Sequence, residues 1–397
     1  LFISIAGSQM QFWTLLWHIR ELTDQPIAVS GIGLARFLPI LVFALIGGLF
    51  ADRYDRRKIM LVTQSVQALV ALALGLLTLT GEIRLGWIYL LTAVQAAAIS
   101  FDLPARQSIV PNLLPREDLP SAFSMTSIAF DLGAIIGPGL SGLAIAGWGL
   151  FAVYLINAAS YLAVIAALLA IGPVAQQAVK REASAGLRSR VGAALLDIRA
   201  GWRFTLHQPV ILGSMILDFF ATFFSSANTL LPFMARDVLH VGVQQYGWLS
   251  AAQSIGAVSA ALVISQRVRI RRQGKLLLGA VVIFGLATVL FGLSRSFWLT
   301  LGALILIGAA DSVSTILRNT IRQIQTPDEL RGRMISVGQI FFQGGPQLGE
   351  VESGLVAQAF GPAAAIISGG LGCVLAAGLV VRRWPQLRGY DGGEEAA

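Results

Sequence analysis

The sequence predicts an all-α polytopic membrane protein: twelve transmembrane helices in two pseudo-symmetric six-helix bundles. Three observations carry that prediction. Of the 397 residues, 55% are hydrophobic and only 13% are charged, against roughly 25% charged in soluble domains. Twelve windows hold the ~20 apolar residues that a bilayer-spanning helix needs. The second half also repeats the first at a shift of 212 residues. Arg106 meets Arg318, Pro115 meets Pro327, Glu117 meets Glu329, Gly133 meets Gly345, Gly137 meets Gly349, Ser141 meets Ser353 and Gly142 meets Gly354. A parallel repeat about an axis along the membrane normal is one way helical membrane proteins set two halves around a common centre.

The windows lie near 1–20, 31–51, 58–80, 84–104, 121–147, 150–172, 209–233, 245–265, 275–294, 297–317, 334–358 and 362–382. Span 1 opens on Leu1, so a short segment is expected ahead of it, and the lack of a visible signal peptide carries no weight. It bears Gln9, Gln11, Trp13 and Trp17, with His18 expected at the interface. Span 2 sets Arg36 in its outer half, near its start, and ends in a dense charge cluster. Span 3 follows that cluster directly. Span 4 has Asp102 near its end, and span 5 carries Asp131 about ten residues in, ~15 Å deep at the helical rise. Span 6 closes the first bundle, 1–172. The longest polar stretch, 173–208, reads as a cytoplasmic linker with an amphipathic helix near Val191 to Leu206, lying along the bilayer surface. Span 7 opens the second bundle, 209–382, and carries Asp218. Span 10 holds Asp311, expected to pair with Arg318, and span 11 holds Glu350 and Glu352. Span 12 contains Cys373, the single cysteine. It excludes an internal disulfide and reads as a small packing residue. Residues 383–397 form a tail.

Net charge of +8 and a pI near 10.2 raise the question of nucleic acid, and the distribution answers it. With these spans, 24 of the 29 Lys and Arg fall on one side; only Arg20, Arg36, Arg84, Arg236 and Arg295 fall on or toward the other. The positive-inside rule then puts both termini in the cytoplasm of an inner-membrane protein, and no nucleic-acid surface is expected.

The motifs are specific. Gly48-Leu-Phe-Ala-Asp52-Arg53-Tyr-Asp55-Arg56-Arg57-Lys58 joins spans 2 and 3, and charges this dense must face water. Span 5 holds Gly133-Ala-Ile-Ile-Gly137-Pro138-Gly139-Leu-Ser141-Gly142. Glycines four apart let a neighbouring helix approach closely, and Pro138 favours a kink. The first stretch resembles the loop signature of the major facilitator superfamily, and the second resembles the antiporter signature of its exporters, with Ser141 replacing one glycine. Asp55 stands where the family usually has Gly. That variant, with Phe101-Asp102-Leu-Pro104-Ala-Arg106 and Leu114-Pro115-Arg116-Glu117-Asp118-Leu119, is similar to the subgroup of enterobactin and macrolide exporters. The resemblance implies a latch built from Gly48, Asp52, Arg53, Arg56, Arg57, Asp102, Arg331 and Arg333. In it, Asp52 caps the start of span 11, Arg56 pairs with Asp102, and Asp55 either pairs with Arg57 or Arg116 or weakens the latch. Many proton-coupled exporters also have an Arg three residues before a Gln-Gly in span 4; here Thr92, Gln95 and Ala96 stand there.

Carboxylates inside the membrane must be paired, wetted or protonated. Burial disfavours the charged form of a carboxyl group, which suits a proton carrier. Asp131, Asp218, Glu350 and Glu352 are therefore the proton-coupling candidates. Glu350 occupies the position of Pro138 in the repeat. Gly133, Gly137, Pro138 and Gly142 are the hinge and packing set. Gln9, Trp13, Trp17, Arg36, Phe219, Phe223, Ser226 and Asn228 are the substrate-lining set, since large pockets combine apolar walls with few polar groups. Arg36 would meet an anionic substrate or pair with Glu21 or Asp24. The expected function is secondary-active export of an amphiphilic small molecule, drug-like or siderophore, by alternating access with proton antiport. A lysophospholipid mover and a non-transporting sensor or scaffold are the rivals. No enzyme is expected, since His-x-x-x-His, Gly-x-Ser-x-Gly and phosphate-loop patterns are missing from the sequence. No cofactor or metal is expected either. The expected partners are a small molecule, protons and the lipid bilayer, bound by a monomer.

Overall fold

The structure, a computed structural model, describes residues 2–113, 115, 118–172, 202–266 and 270–392. Within its helices the side chains at 44–49, 51–53, 111–112, 120, 123–124, 127, 131, 225, 227–228, 328–329, 331–333, 335–337 and 339–343 lie outside the description. The expected linker lies outside it up to residue 201; residues 202–207, which include the end of the expected amphipathic helix, are helical.

Among the described residues every regular element is helical. The long helices are α1 (Phe2–Leu22), α2 (Ile27–Arg53), α3 (Arg56–Leu79), α4 (Leu85–Leu113), α5 (Leu119–Trp148), α6 (Leu150–Ile171), α7 (Pro209–Ser225), α8 (Val243–Ser265), α9 (Gln273–Leu293), α10 (Phe297–Ile324), α11 (Asp328–Phe360) and α12 (Pro362–Arg383). A short α13 (Pro385–Gly389) follows. Each predicted span is therefore helical, the seventh with a break after Ser225. Several run longer than their apolar windows, because backbone pairing continues into the headgroup layer, where polar side chains are wetted. A 29-residue helix such as α4 reaches ~43 Å, close to the full bilayer with its headgroups. Among the described residues eight helices are long and apolar enough to cross a membrane, and Ile27–Phe43 and Pro209–Phe224 are shorter apolar stretches.

α7 is broken. After Ser225 come a 3-10 segment (Ser226–Leu230), one turn (Leu231–Phe233) and a π segment (Met234–Val238). Ser226 and Thr229 are of types that favour local side-chain bonds over the helix ladder. Pro232 removes the amide that the ladder would use next. Such irregular turns gather at functional positions.

By contact density the chain divides into two units. The first comprises Leu1–Ala178, Thr229–Ser254 and Ala357–Ala359. In it α1 packs on α5 and α6, α2 on α4, and α3 on α4 and α6. Its polarity is inside-out relative to a soluble bundle. On α3, Thr63, Gln64 and Gln67 are buried, while Val62, Leu69, Leu72, Leu76 and Leu79 form the exposed stripe that acyl chains would cover. Gly133 and Gly137 of α5 lie against the α1 backbone at Ala6 and Met10. Gly142, five residues on, faces a second neighbour: Gly247 of α8. The Ser254 hydroxyl of α8 donates to the Ala134 carbonyl at 2.8 Å.

The second unit comprises Val179–Asn228, Ile255–Val356 and Phe360–Ala397. α9 packs on α10 and α12, and α12 on α7. Gly345 and Gly349 of α11 lie against Phe219, Thr222 and Phe223 of α7, as Gly133 and Gly137 lie against α1. Ser141 and Ser353 each donate to the carbonyl three residues back. Gly149 and Gly361, also 212 apart, both hold φ +89° before α6 and α12, a region open to glycine. The repeat is thus a repeat of contacts. The tail joins this unit: Leu387 is fully buried, the Tyr390 carbonyl accepts from the Gly274 amide at 3.0 Å, and the Asp391 carboxylate accepts from the Arg272 amide at 2.6 Å.

Candidate functional site

The charged loop between α2 and α3 resolves around Asp55. Its carboxylate accepts from the Arg57 and Lys58 amides at 2.9 and 3.3 Å, so it is the N-cap of α3. Capping is what an aspartate just ahead of a helix does best; Arg116, one of its expected partners, lies outside the described residues. Arg57 donates through Nε to the Leu168 carbonyl at 2.7 Å and reaches Leu169. It thereby sits on the last turn of α6, where the helix dipole favours a cation. Arg56 donates to the Ser108 carbonyl of α4 at 3.0 Å. Asp102 bonds Thr63 (2.8 Å), Gln64 (2.9 Å) and, through its other oxygen, Arg106 (2.6 Å). The expected Asp102–Arg56 pair is replaced by this one, since Arg106 sits one helical turn away on the same face. The side chains of Asp52, Arg53, Arg331 and Arg333 lie outside the described set, and so do those of Asp131 and Asn228. The cap makes a prediction. Asp55→Ala should lower stability by about 1 kcal/mol, whereas Asp55→Gly should cost only a few tenths. Melting of the purified variants in detergent checks the order.

The centre of the first unit holds a neutral polar network. Gln11 donates to Gln95 (2.9 Å), Gln95 to Tyr161 (3.1 Å) and Asn157 to Gln11 (2.7 Å). Ser8 meets Tyr161 at 2.9 Å, and Ser160 donates to Asn157 at 3.0 Å. Satisfied networks of this kind fix one arrangement of helices. Asn157 and Tyr161 were not singled out from the sequence, though polar groups in an apolar span were the available signal.

At the end of this unit away from the basic loops, aromatic and charged groups tie α1 to the start of α8. Tyr246 donates to the Trp13 carbonyl at 2.9 Å, and its ring lies 4.9 Å from that of Trp17. Trp17 is buried and donates to Glu21 at 2.7 Å. It is a packing residue in this structure, not an open wall. Arg20 is bracketed by Asp24 and Asp237 and stacks over Phe233 at 5.2 Å. Glu21 and Asp24 are thus taken, and Arg36, expected beside one of them, lies 4.9 Å over the Phe12 ring. His18 is buried against the Tyr154 hydroxyl at 2.9 Å, a correction to its interfacial placement. Gln9 is half-buried, with its Cβ side against Gly137.

In the second unit Asp218 accepts from Arg322 at 3.0 Å and forms an ion pair with Arg318 at 3.1 Å, with all three side chains buried. Ser214 receives Arg322 at 3.1 Å. Asp218 is thus an ion-pair anchor between α7 and α10. Asp311 is the partner expected for Arg318, at 3.9 Å. The Phe219 and Phe223 rings stack at 6.0 Å, both half-buried. Ser226 donates to the Pro346 carbonyl at 2.9 Å, so it belongs to the α7–α11 seam. Glu350 is buried beside that seam, and Glu352 is half-buried. Pro346 follows Gly345 as Pro138 follows Gly137, one turn off the repeat register.

A family profile described as "Transmembrane secretion effector" matches residues 2–394. Among curated relatives, the enterobactin exporter EntS of Citrobacter koseri (strain ATCC BAA-895) is 29% identical over 92% of this chain and 84% of its own length. EntS of Escherichia coli O139:H28 matches to the same extent. Among solved structures, a bacterial homolog of the human lysosomal transporter Spinster, inward-facing and occupied, has a TM-score of 0.72 at 15% identity, over 98% of this chain and 96% of that one. The nucleoside transporter NupG also scores 0.72 at 15% identity, over 98% and 97%. At that identity the two structures speak for the fold alone. The fold is that of a multi-pass membrane transporter, and the chain belongs to the transmembrane secretion effector family of the major facilitator transporters.

Proposed function

We propose that this protein exports a siderophore-class amphiphilic small molecule across the inner membrane, with both termini in the cytoplasm, as a monomer, in exchange for protons. Two six-helix halves, 1–172 and 209–382, rock about a central site, and the coupling proton moves through a carboxylate inside the membrane. One observation carries the cargo class: the match to enterobactin exporters covers 92% of the chain. The α1–α5–α8 contacts support alternating access. They lie at the end away from the basic loops, and they must come apart for that end to open.

The test uses inverted vesicles containing the full chain and three probes: iron-free enterobactin, erythromycin and a lysophosphatidylcholine. Enterobactin is expected to accumulate when the vesicle interior is acid and to stop when the gradient is collapsed. Accumulation that ignores the gradient removes proton exchange. Movement of the lysolipid alone makes the protein a lipid mover, and movement of none of the probes makes it a sensor or scaffold.

A further inference from the structure

α10 turns one face inward: Thr300, Leu304, Ile307, Ser314, Arg318 and Arg322 are all buried. Asp311 sits in the middle of that face, four residues after Ile307 and three before Ser314, where helical periodicity demands a packed side chain. Yet 53% of its side chain is open. An open carboxylate on the inward face of a helix borders a recess inside the protein, not the acyl chains, and a charged group there keeps water.

Its only ion-pair partner among the described residues is Arg318, at 3.9 Å, beyond hydrogen-bond reach. Arg318 is meanwhile held by groups that do not depend on Asp311. It lies 3.1 Å from Asp218 and donates to Ser314 at 3.2 Å and to Thr315 at 2.7 Å. Neutralising Asp311 would therefore leave no buried cation stranded. The surroundings are otherwise poor in charge. From α7 comes Asp218 through Arg318, and from α12 the Cys373 thiol lies within electrostatic range. α8 crosses with Gly256 against Ile305 and Ala309 and brings no charged side chain. α9 has no ionisable side chain from Leu276 to Leu293.

We propose that Asp311 is the residue that takes up and releases the coupling proton, with the Asp218–Arg318–Arg322 cluster as a fixed counter-charge. Water in the recess delivers a proton, an O–H bond forms on the Asp311 carboxylate, and the same bond breaks when the recess faces the other side. Asp218, closed off between two guanidiniums, holds α7 to α10 in both states. This rests on the proton-exchange reading above.

Two measurements on the full chain separate the two claims. The first needs no cargo: infrared difference spectra of purified protein between alkaline and mildly acidic buffer. A protonated-carboxyl band is expected in the parent protein, lost in Asp311→Asn, shifted in Asp311→Glu and kept in Glu352→Gln. A band unchanged in both Asp311 variants overturns the assignment, and Asp311→Glu decides if Asp311→Asn does not fold. The second uses proteoliposomes with iron-free enterobactin. Asp311→Asn should lose gradient-driven accumulation by about a hundredfold, the low end for removing a proton-transfer group, while counterflow exchange persists. Full gradient-driven accumulation in Asp311→Asn also overturns it. If the parent protein moves no enterobactin, the exporter reading fails, and the infrared result still decides Asp311.

Discussion

Asp218→Ala is expected to destabilise the second unit by about 3–5 kcal/mol, the usual result of removing one partner from a buried ion pair. The carboxylate serves two guanidiniums, Arg318 at 3.1 Å and Arg322 at 3.0 Å, and its side chain is 1% exposed. With it gone, Asp311 can take up Arg318, only 3.9 Å away. Among the described residues Arg322 then keeps Ser214 alone, through its hydroxyl and carbonyl, and neither group carries a compensating charge. The melting midpoint in detergent should fall by many degrees. Replacing all three residues together with leucine or methionine should restore most of the loss, because an apolar cluster leaves no charge without water. A midpoint within a degree of the parent protein would show that the cluster is not the anchor its geometry describes.

Gly142→Val is expected to damage transport more than stability. A carbon added at Gly142 would lie 2.7 Å from the Gly247 Cα and 2.9 Å from the Val243 carbonyl oxygen. Both are backbone atoms, so no side chain can turn aside, and α5 and α8 must separate. Overpacking of this kind costs about 1–3 kcal/mol, and that cost is charged only to the state in which the two helices touch. The weight of that state relative to the open one should therefore fall by about 5- to 150-fold, since each 1.4 kcal/mol is a factor of ten. The check is a cysteine at Ser250, which is 1% exposed on α8, in a Cys373→Ser background. Labelling by a water-soluble maleimide should accelerate several-fold in Gly142→Val, with enterobactin accumulation lost. Equal labelling rates and intact accumulation would show that the glycine contact does not govern opening.

The two variants probe different kinds of knowledge. Gly142 was legible as a packing residue, because glycines at helical spacing in an apolar window have few other uses. The partner was not legible: Gly133 and Gly137 face α1 while Gly142 faces α8, a division that depends on where α8 crosses. Asp55 was legible as a cap from its position just ahead of a helix. The Asp102–Arg106 pair obeys the one-turn rule within α4 and was equally readable. Arg20 with Asp237, and Asp218 with Arg318 and Arg322, bring together residues about a hundred or more positions apart in the chain. No local rule supplies such pairs.

What the sequence by itself determined is the fold class, the helix order, the repeat and the charged loops. The bilayer imposes those constraints locally, on segment length, apolarity and the placement of Lys and Arg. What only the tertiary structure decided is the fate of each polar group inside the membrane. Asp218 and Asp311 are the same residue type at similar depth, and periodicity places both among apolar neighbours. One is closed between two arginines and the other is open on an otherwise buried face. That difference comes from the packing of several helices at once, which burial and electrostatics sense and one-dimensional patterning does not.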